Sequence, residues 1–361
     1  MENSQVKEAA RQFGKGTPAI EVLKGGLIHH TYKVSYDEQE EKVVLQCINQ
    51  TMFHHPEDIL HNYQLVYQAV HGKEGITIPP IMPAKDGKLY WRDANDQFWR
   101  AIRFVPNSYT ALVPQDAAAA RLTANCFANF TSALASVELG KLKPVIPRFH
   151  DLAMRYEQFE QAVLTATQQR LLTATHVIAE LRQRHHLVDF YKQVVSDPDQ
   201  FLLRVMHHDC KLSNILLNVD THKAICPVDL DTVMPGLFFS DLGDMIRSMA
   251  CSVDENSTDW DAIAIRPDFY DAIVEGYRSG MGDQLTEAEL EHLHKAGLMM
   301  IFMQALRFIT DHLNNDIYYQ ISYPEQNLNR ALNQLLLLEK LEEYVGNNKE
   351  SMHPVATHLK A

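Results

Sequence analysis

The 361-residue sequence predicts an α+β chain in two parts, a small β-rich N-terminal lobe over 1–107 and a larger helical lobe over 108–361. Three observations carry that expectation. The length exceeds what one hydrophobic core usually serves. The first hundred residues read as short strands and turns with one helix. After residue 108 the apolar spacing becomes helical.

In the first lobe, Thr31–Tyr36 and Lys42–Ile48 alternate on either side of the acidic turn Asp37-Glu38-Gln39-Glu40-Glu41, a hairpin signal. Pro56–Val70 places Ile59, Tyr63, Val66, Tyr67 and Val70 at helical spacing. Gly87–Arg92 and Gln97–Phe104 fit strands joined by Asp93-Ala94-Asn95-Asp96, and Pro106-Asn107-Ser108 closes the lobe. The second lobe offers helices at Ala117–Val137, Tyr156–Arg182, His186–Asp197, Arg266–Ser279, Thr286–Ile309 and Pro324–Val345. Thr286 with Glu289 forms a capping box ahead of an apolar run. One β-rich island, Phe201 to Val233, interrupts these helices, and Gly346 to Ala361 reads as a polar tail.

Composition narrows the function. An apolar share of 46% with 22% charged residues is ordinary for a globular enzyme, and a net charge of −13 argues against a nucleic-acid partner. A nucleotide needs only a few local cations and stays admissible. The five cysteines are scattered without a C-x-x-C pair, so reduced thiols are expected. The N-terminus has no apolar h-region, and the most apolar stretch, Gly297–Ile309, is short and carries Gln304 and Arg307. No membrane partner and a cytoplasmic location are expected.

The sharp signal lies in the island. A strand-like run, Phe201–Met206, leads into His207-His208-Asp209, and Asn214 follows Asp209 by five positions. A hairpin, Ile215-Leu216-Leu217 with Ala224–Val228, then delivers Asp229-Leu230-Asp231 at the same end. Each of these residues is a common turn former when taken singly. Together they supply what phosphoryl transfer needs, one carboxylate at the acceptor hydroxyl and separate oxygen ligands for metal at the phosphates. Asp209 would orient the nucleophile, Asn214 and Asp229 would hold Mg²⁺, and Asp231 is a further candidate metal ligand. Lys211, two residues after Asp209, would reach the transferring phosphate. His207 fits loop architecture, because adjacent histidines on a strand point to opposite faces and do not readily share an ion. Asp244, in the helix-like stretch that starts at Asp241, would accept backbone hydrogen bonds from this loop or serve as an N-terminal helix acid.

On the nucleotide side, Gly25-Gly26 precedes a strand, which suits either a phosphate-facing turn or a plain one. Gln46 stands where a kinase strand would carry its lysine. Either the chain is an inactive nucleotide-binding scaffold or the cation comes from elsewhere, with Lys211 the natural substitute. The stretch Ile102–Val105 fits a linker where adenine meets backbone, which makes Phe104 and Val105 candidate ATP contacts.

The chain resembles the aminoglycoside phosphotransferase and choline kinase superfamily, most closely its N-acetylhexosamine 1-kinase branch. The resemblance rests on Leu45-Gln46-Cys47-Ile48-Asn49, Asp209–Asn214, Val228–Gly236, Asp241–Arg247 and Arg307–Tyr319, and it spans about residues 25 to 320. It implies a bilobal protein-kinase-like fold, in which Gln46 is normal, and transfer of the γ-phosphate of ATP to a sugar hydroxyl. The anomeric hydroxyl of an N-acetylhexosamine is the implied acceptor; an aminoglycoside- or choline-type acceptor is the alternative. The resemblance also implies a sugar pocket with Arg307, Asp311 and Tyr318 as contacts. Read from the residues alone, Arg307 is a charge inside an apolar helix and fits a buried pair with an acid equally well. Tyr318 and Tyr319 fit sugar stacking or core packing. The turn Gly26-Leu27-Ile28-His29-His30-Thr31-Tyr32 departs from the family, with His29 in place of the usual amide.

Overall fold

A computed structural model describes residues 3–23 and 28–348. The chain divides into two compact units, one formed by Met1–Tyr109, Ser136–Pro147 and Leu216–Met234, the other by Thr110–Ala135, Arg148–Ile215 and Pro235–Ala361. The units are discontinuous in sequence, whereas the division at 107/108 is contiguous.

The first unit is built on an antiparallel sheet. Its strands are β1 (Pro18–Val22), β2 (His30–Tyr36), β3 (Gln39–Cys47), β4 (Ile81–Met82), β5 (Trp91–Arg92) and β6 (Phe98–Arg103), in the order β1-β2-β3-β6-β4 with β5 on β6. The acidic turn closes the β2–β3 hairpin by pairing Tyr36 with Gln39. Helix α1 (Asn3–Ala10), which the sequence reading did not anticipate, covers one face of the sheet. Its Val6, Ala9 and Ala10 cluster with Val43, Leu45, Trp99 and Ala101. Alternation sends the neighbours of these residues to the other face. There Phe98 packs with Ile59 and Leu60 of α2 (Pro56–Val70), and Gln46 and Arg100 sit opposite each other in register. Strands β7 (Ser108–Tyr109), β9 (Ile215–Asn218) and β10 (Ala224–Pro227) complete the unit in the order β10-β9-β7; β8 (Arg204–Met206) belongs to the second unit.

The second unit is helical: α3 (Ala117–Ala133), α4 (Leu152–Thr165), α5 (Gln168–Gln183), α6 (His186–Ser196), α7 (Phe238–Met249), α8 (Pro267–Met281), α9 (Glu287–His292), α10 (His294–Leu313) and α11 (Gln326–Asn347). Two long helices expected from periodicity are each a broken pair. Tyr156–Arg182 divides where Thr167 accepts the Arg170 N–H and starts a new helix. Thr286–Ile309 divides at Leu293, with the expected capping box at Thr286 and Glu289 in place. Apolar spacing runs through both breaks, so periodicity alone does not show them. Among the described residues no helix is long and apolar enough to cross a membrane.

Close packing positions the site in this unit. A Cβ on Gly243 of α7 would lie 2.4 Å from the Ala296 carbonyl oxygen and 2.7 Å from Met300 Cβ on α10. Backbone cannot withdraw as a flexible side chain can. Gly243→Val is therefore expected to destabilise the protein by about 1–3 kcal/mol through overpacking, read as a lower thermal midpoint. An unchanged midpoint would refute that packing.

Candidate active site

Strand β8 leads into the loop His207–Asn214. The strand is pinned at its start by Arg204, whose Nη1 lies 2.6 Å from Glu289 Oε1, an acid with no exposure. His207 is fully buried and meets the Phe127 ring edge-on at 4.9 Å, and its Nδ1 accepts the Asp209 N–H at 3.3 Å. His208 takes a left-handed conformation, φ 66°. A Cβ on Gly236 would come within 2.5 Å of its ring, which explains the glycine at that position.

The backbone N–H groups of His207 and His208 both donate to the buried carboxylate of Asp241, at 2.9 and 2.8 Å. The sequence left Asp244 open between this task and that of a helix acid, and it is Asp241 that takes the task. Asp244 instead accepts from Arg247 Nη2 at 2.8 Å. One helical turn separates the two acids, and only the backbone direction of the loop decides between them.

The loop brings Asp209, Lys211 and Asn214 together. Asp209 Oδ2 receives Lys211 Nζ at 3.0 Å and Asn214 Nδ2 at 2.8 Å, while Asn214 Nδ2 also donates to the Asp209 carbonyl. Asn214 Oδ1 has no protein partner among the described residues. That is the kind of oxygen a hard divalent ion takes.

In the first unit, Asp229 is exposed at the end of β10 in a left-handed conformation, φ 59°. Its exposed carboxylate also fits Mg²⁺. Asp231 is buried. Arg100 Nη1 lies 2.6 Å from Asp231 Oδ1, Arg100 Nη2 donates to Oδ2 at 2.8 Å, and His29 Nε2 donates to Oδ2 at 2.7 Å. His29 Nδ1 accepts the Asn49 N–H at 3.0 Å, which puts the ring proton on Nε2. Burial alone would raise the Asp231 carboxyl, but Arg100 and the His29 hydrogen bond hold it well below the ordinary carboxylate range. His29, Asp229 and Asp231 bring potential ligand atoms within 4.8 Å of one another, yet the oxygens of Asp231 are already committed to Arg100 and His29. Asp231 thus combines a place among these potential ligand atoms with an ion pair to Arg100 and a hydrogen bond from His29.

Gln46 accepts from Arg100 Nε at 3.0 Å and donates to Thr31 Oγ1 at 3.3 Å, so its amide is held within the sheet. Gly25 and Gly26 lie outside the described residues. At the linker, the Phe104 N–H donates to Lys42 O and the Val105 carbonyl accepts Ser108 Oγ. The Phe104 carbonyl and Val105 N–H are left without a protein partner among the described residues. Both residues also line a cavity of about 320 Å³ whose other walls include Tyr67, Pro79, Pro80 and Cys226, with nothing from β1, β2 or β3.

Three residues were candidates for the acceptor. Arg307 has no carboxylate partner among the described residues; its Nη1 donates to Gln304 at 3.0 Å and its guanidinium lies over Phe149 and Tyr319. Asp311 is buried, and its oxygens accept from the N–H groups of Tyr318 and Tyr319 and from Asn327 Nδ2. Tyr318 is 56% exposed, whereas Tyr319 packs on Phe308. Sequence reasoning missed Arg155 and His150. Arg155 donates to Gln158 and to the Phe149 carbonyl, and its buried Nε has no partner. Burial and the neighbouring Arg307 pull its guanidinium down to about 10. Burial, then His208 and the arginines, push His150 well below its ordinary value, and its ring lies 5.1 Å from that of His208.

Taken with the two-unit architecture, a carboxylate loop braced by a helix acid defines a kinase-like phosphotransferase. The phosphotransferase enzyme family matches residues 19–290, and the chain belongs to that family. Solved structures share the fold at low identity. A microcompartment-associated aminopropanol kinase aligns with TM-score 0.64 and 17% identity over 96% of this chain and 98% of its own. A choline kinase from Cryptosporidium parvum Iowa II gives 0.60 and 12% over 98% of each chain. A spectinomycin phosphotransferase in complex with ADP and spectinomycin gives 0.58 and 14% over 95% and 99%.

Two outcomes follow from this geometry. Asp241→Ala removes the acceptor of two buried N–H groups, and each group so stranded costs about 1–3 kcal/mol. A lower denaturation midpoint together with impaired turnover is expected; unchanged values for both would show that the loop does not depend on Asp241. His150 is held neutral when folded and takes up a proton on unfolding below its ordinary value of 6.5. Its folded value is depressed, so below 6.5 the unfolded chain binds the extra proton and stability falls as pH drops. The loss of stability between pH 7 and 5 is expected to be smaller in His150→Gln than in wild type when denaturant midpoints are compared, and equal losses would count against a buried neutral ring.

Proposed function

We propose that this protein is an ATP-dependent kinase that phosphorylates a hydroxyl of a neutral, oxygen-rich small molecule, and that the acceptor is the anomeric hydroxyl of an N-acetylhexosamine. The observation that carries the reading is a pair of arginines, Arg307 and Arg155, that form no ion pair with a carboxylate among the described residues. A buried guanidinium ordinarily meets a carboxylate. Among the described residues neither Arg307 nor Arg155 has an ion pair with a carboxylate, and each adds positive charge around His150, whose ring lies 5.1 Å from that of His208. Such a patch repels an ammonium acceptor. It favours an acceptor that brings oxygen lone pairs, as sugar hydroxyls and an N-acyl carbonyl do. The exposed ring of Tyr318 suits the apolar face of a pyranose. The aminopropanol and choline kinases that share the fold are named for amino alcohols, so the charge of this patch is what separates the readings.

In this mechanism Asp209 receives the acceptor hydroxyl on Oδ1, since Lys211 and Asn214 hold Oδ2. The carboxylate orients the hydroxyl for in-line attack on the γ-phosphorus and takes its proton as the new O–P bond forms and the bond to ADP breaks. Lys211 neutralises charge on the migrating group. Asn214 through Oδ1, and Asp229, would hold Mg²⁺, which neutralises phosphate charge when bound. The open Phe104 carbonyl and Val105 N–H would meet the adenine edge.

Asp209→Ala is expected to lower turnover at least ~10²-fold with ATP binding kept. Lys211→Ala is expected to reduce turnover more than ATP affinity. The acceptor is tested by ATP consumption over a panel of free hexosamines and amino alcohols. Turnover confined to amino alcohols would overturn the sugar reading, and nucleotide binding without turnover on any acceptor would indicate a scaffold.

A further inference from the structure

The first unit contains a cation that the reaction as described does not use. Arg100 lies in the middle of β6 at 1% exposure, a charge inside a strand otherwise built of Phe98, Trp99, Ala101 and Ile102. Its guanidinium works at both ends. Nε donates to Gln46 at 3.0 Å, and the two terminal nitrogens grip Asp231 at 2.6 and 2.8 Å. Gln46 occupies the strand position where a lysine is expected, and Arg100 is its cross-strand partner. Positive charge is thus supplied from the adjacent strand, and it is aimed at an acid two residues beyond Asp229 rather than at solvent.

We infer that Arg100 is the positioning cation of the metal-binding loop. Acting through Asp231, it holds Asp229 in the backbone conformation that receives a divalent ion. The inference rests on the reading above that Asp229 holds the metal. Its physical basis is the loop itself. A non-glycine residue at φ 59° persists only where its surroundings fix it. Three anchors follow Asp229 at once. Leu230 is buried at 2% exposure, Asp231 is clamped by Arg100 and His29, and the Val233 carbonyl accepts Asn62 Nδ2 of α2 at 2.9 Å. Leu230 is held by packing and Val233 by a single neutral hydrogen bond. Asp231 is the one anchor held by charge, and the only one tied to the sheet strands β3 and β6. The fork of the guanidinium matters. A lysine ammonium at this depth has neither the planar geometry to bridge Gln46 and Asp231 nor the two-point grip on the carboxylate.

Removing Arg100 alone would strand a buried carboxylate and threaten folding. The test therefore uses the charge-free double variant Arg100→Met/Asp231→Leu, with Arg100→Lys and Asp229→Ala alongside, all in the full chain. Each is titrated with ADP alone and then with Mn²⁺ in the presence of ADP, by calorimetry and by the paramagnetic resonance of free Mn²⁺. In the double variant the expected result is ADP affinity within about twofold of wild type and Mn²⁺ affinity weakened at least tenfold. Arg100→Lys is expected to weaken Mn²⁺ at least threefold. Mn²⁺ affinity within twofold of wild type in a folded double variant, with Asp229→Ala impaired, would overturn the role of Arg100 and leave the metal reading intact. Normal Mn²⁺ affinity in Asp229→Ala would overturn both. Should the double variant fail to fold, Arg100→Lys decides: metal affinity equal to wild type overturns the inference, and a threefold loss with ADP affinity kept supports it. A purely structural arginine would shift the melting temperature and leave the metal titration unmoved.

Discussion

A charge buried in a protein must find its opposite, and the pairing of Arg100 with Asp231 shows how far that constraint reaches. The arginine sits on the sheet face opposite the α1 core, where alternation along β6 leaves it beside Phe98 and across from Gln46. Its reach brings the segment after β10 against the sheet, and His29 adds a contact from the start of β2. Three stretches far apart in sequence thereby share one carboxylate. Hydrophobic burial sets the sheet and helix in place, but it is indifferent to the direction of a four-residue loop. The ion pair is not, because its geometry tolerates little displacement before a buried charge is left unmatched.

The second unit solves the same problem with a different chemistry. Asp241 collects two backbone N–H groups from the loop before Asp209, and Asp311 collects two from Tyr318 and Tyr319. Each of these acids is buried, and each holds backbone. The acids assigned to chemistry are the less buried ones, Asp209 and Asp229. The molecule therefore sorts its carboxylates by environment. The buried ones hold the loops, and the more exposed ones are presented by them. Charge-assisted bonds from N–H to carboxylate are stronger and more directional than neutral ones, which suits them to the first task.

This sorting also explains what was legible in the sequence. Asp209, Asn214 and Asp229 could be singled out because they are spaced around one hairpin, and hairpin lengths are readable. The helix over Pro56–Val70 and the strands around Gln39–Cys47 were readable from period. Asp241 and Asp244 were not separable, since both fall in one helical turn and both look like acids near a helix start. For Asp231 and Asp311 the sequence does not separate anchoring from chemistry, because a buried anchoring carboxylate and a working one are the same letter. Their partners lie 131 residues away for Arg100 and seven or eight for the tyrosines. Arg100 could have been suspected, since it interrupts an apolar strand as Arg307 interrupts an apolar helix, and the same demand for a partner applies to both. Arg155 carried no such signal, for it lies among polar residues of α4.

The two arginine environments make opposite statements. Arg100 is neutralised within the protein by an acid whose oxygens it engages directly, so nothing external is required of it. Arg307 and Arg155 are satisfied by neutral oxygens from Gln304, Gln158 and the Phe149 carbonyl, and one buried nitrogen of Arg155 has no partner at all. Neutral acceptors offset only part of the desolvation of a guanidinium. The remaining deficit is what an incoming ligand with well-placed oxygens can reduce, and what an ammonium would deepen. Proteins that share this fold at 12–17% identity carry names that point to amino alcohols as well as to spectinomycin. The fold therefore does not choose the acceptor; on the proposed reading, the charge of Arg307 and Arg155 makes that choice.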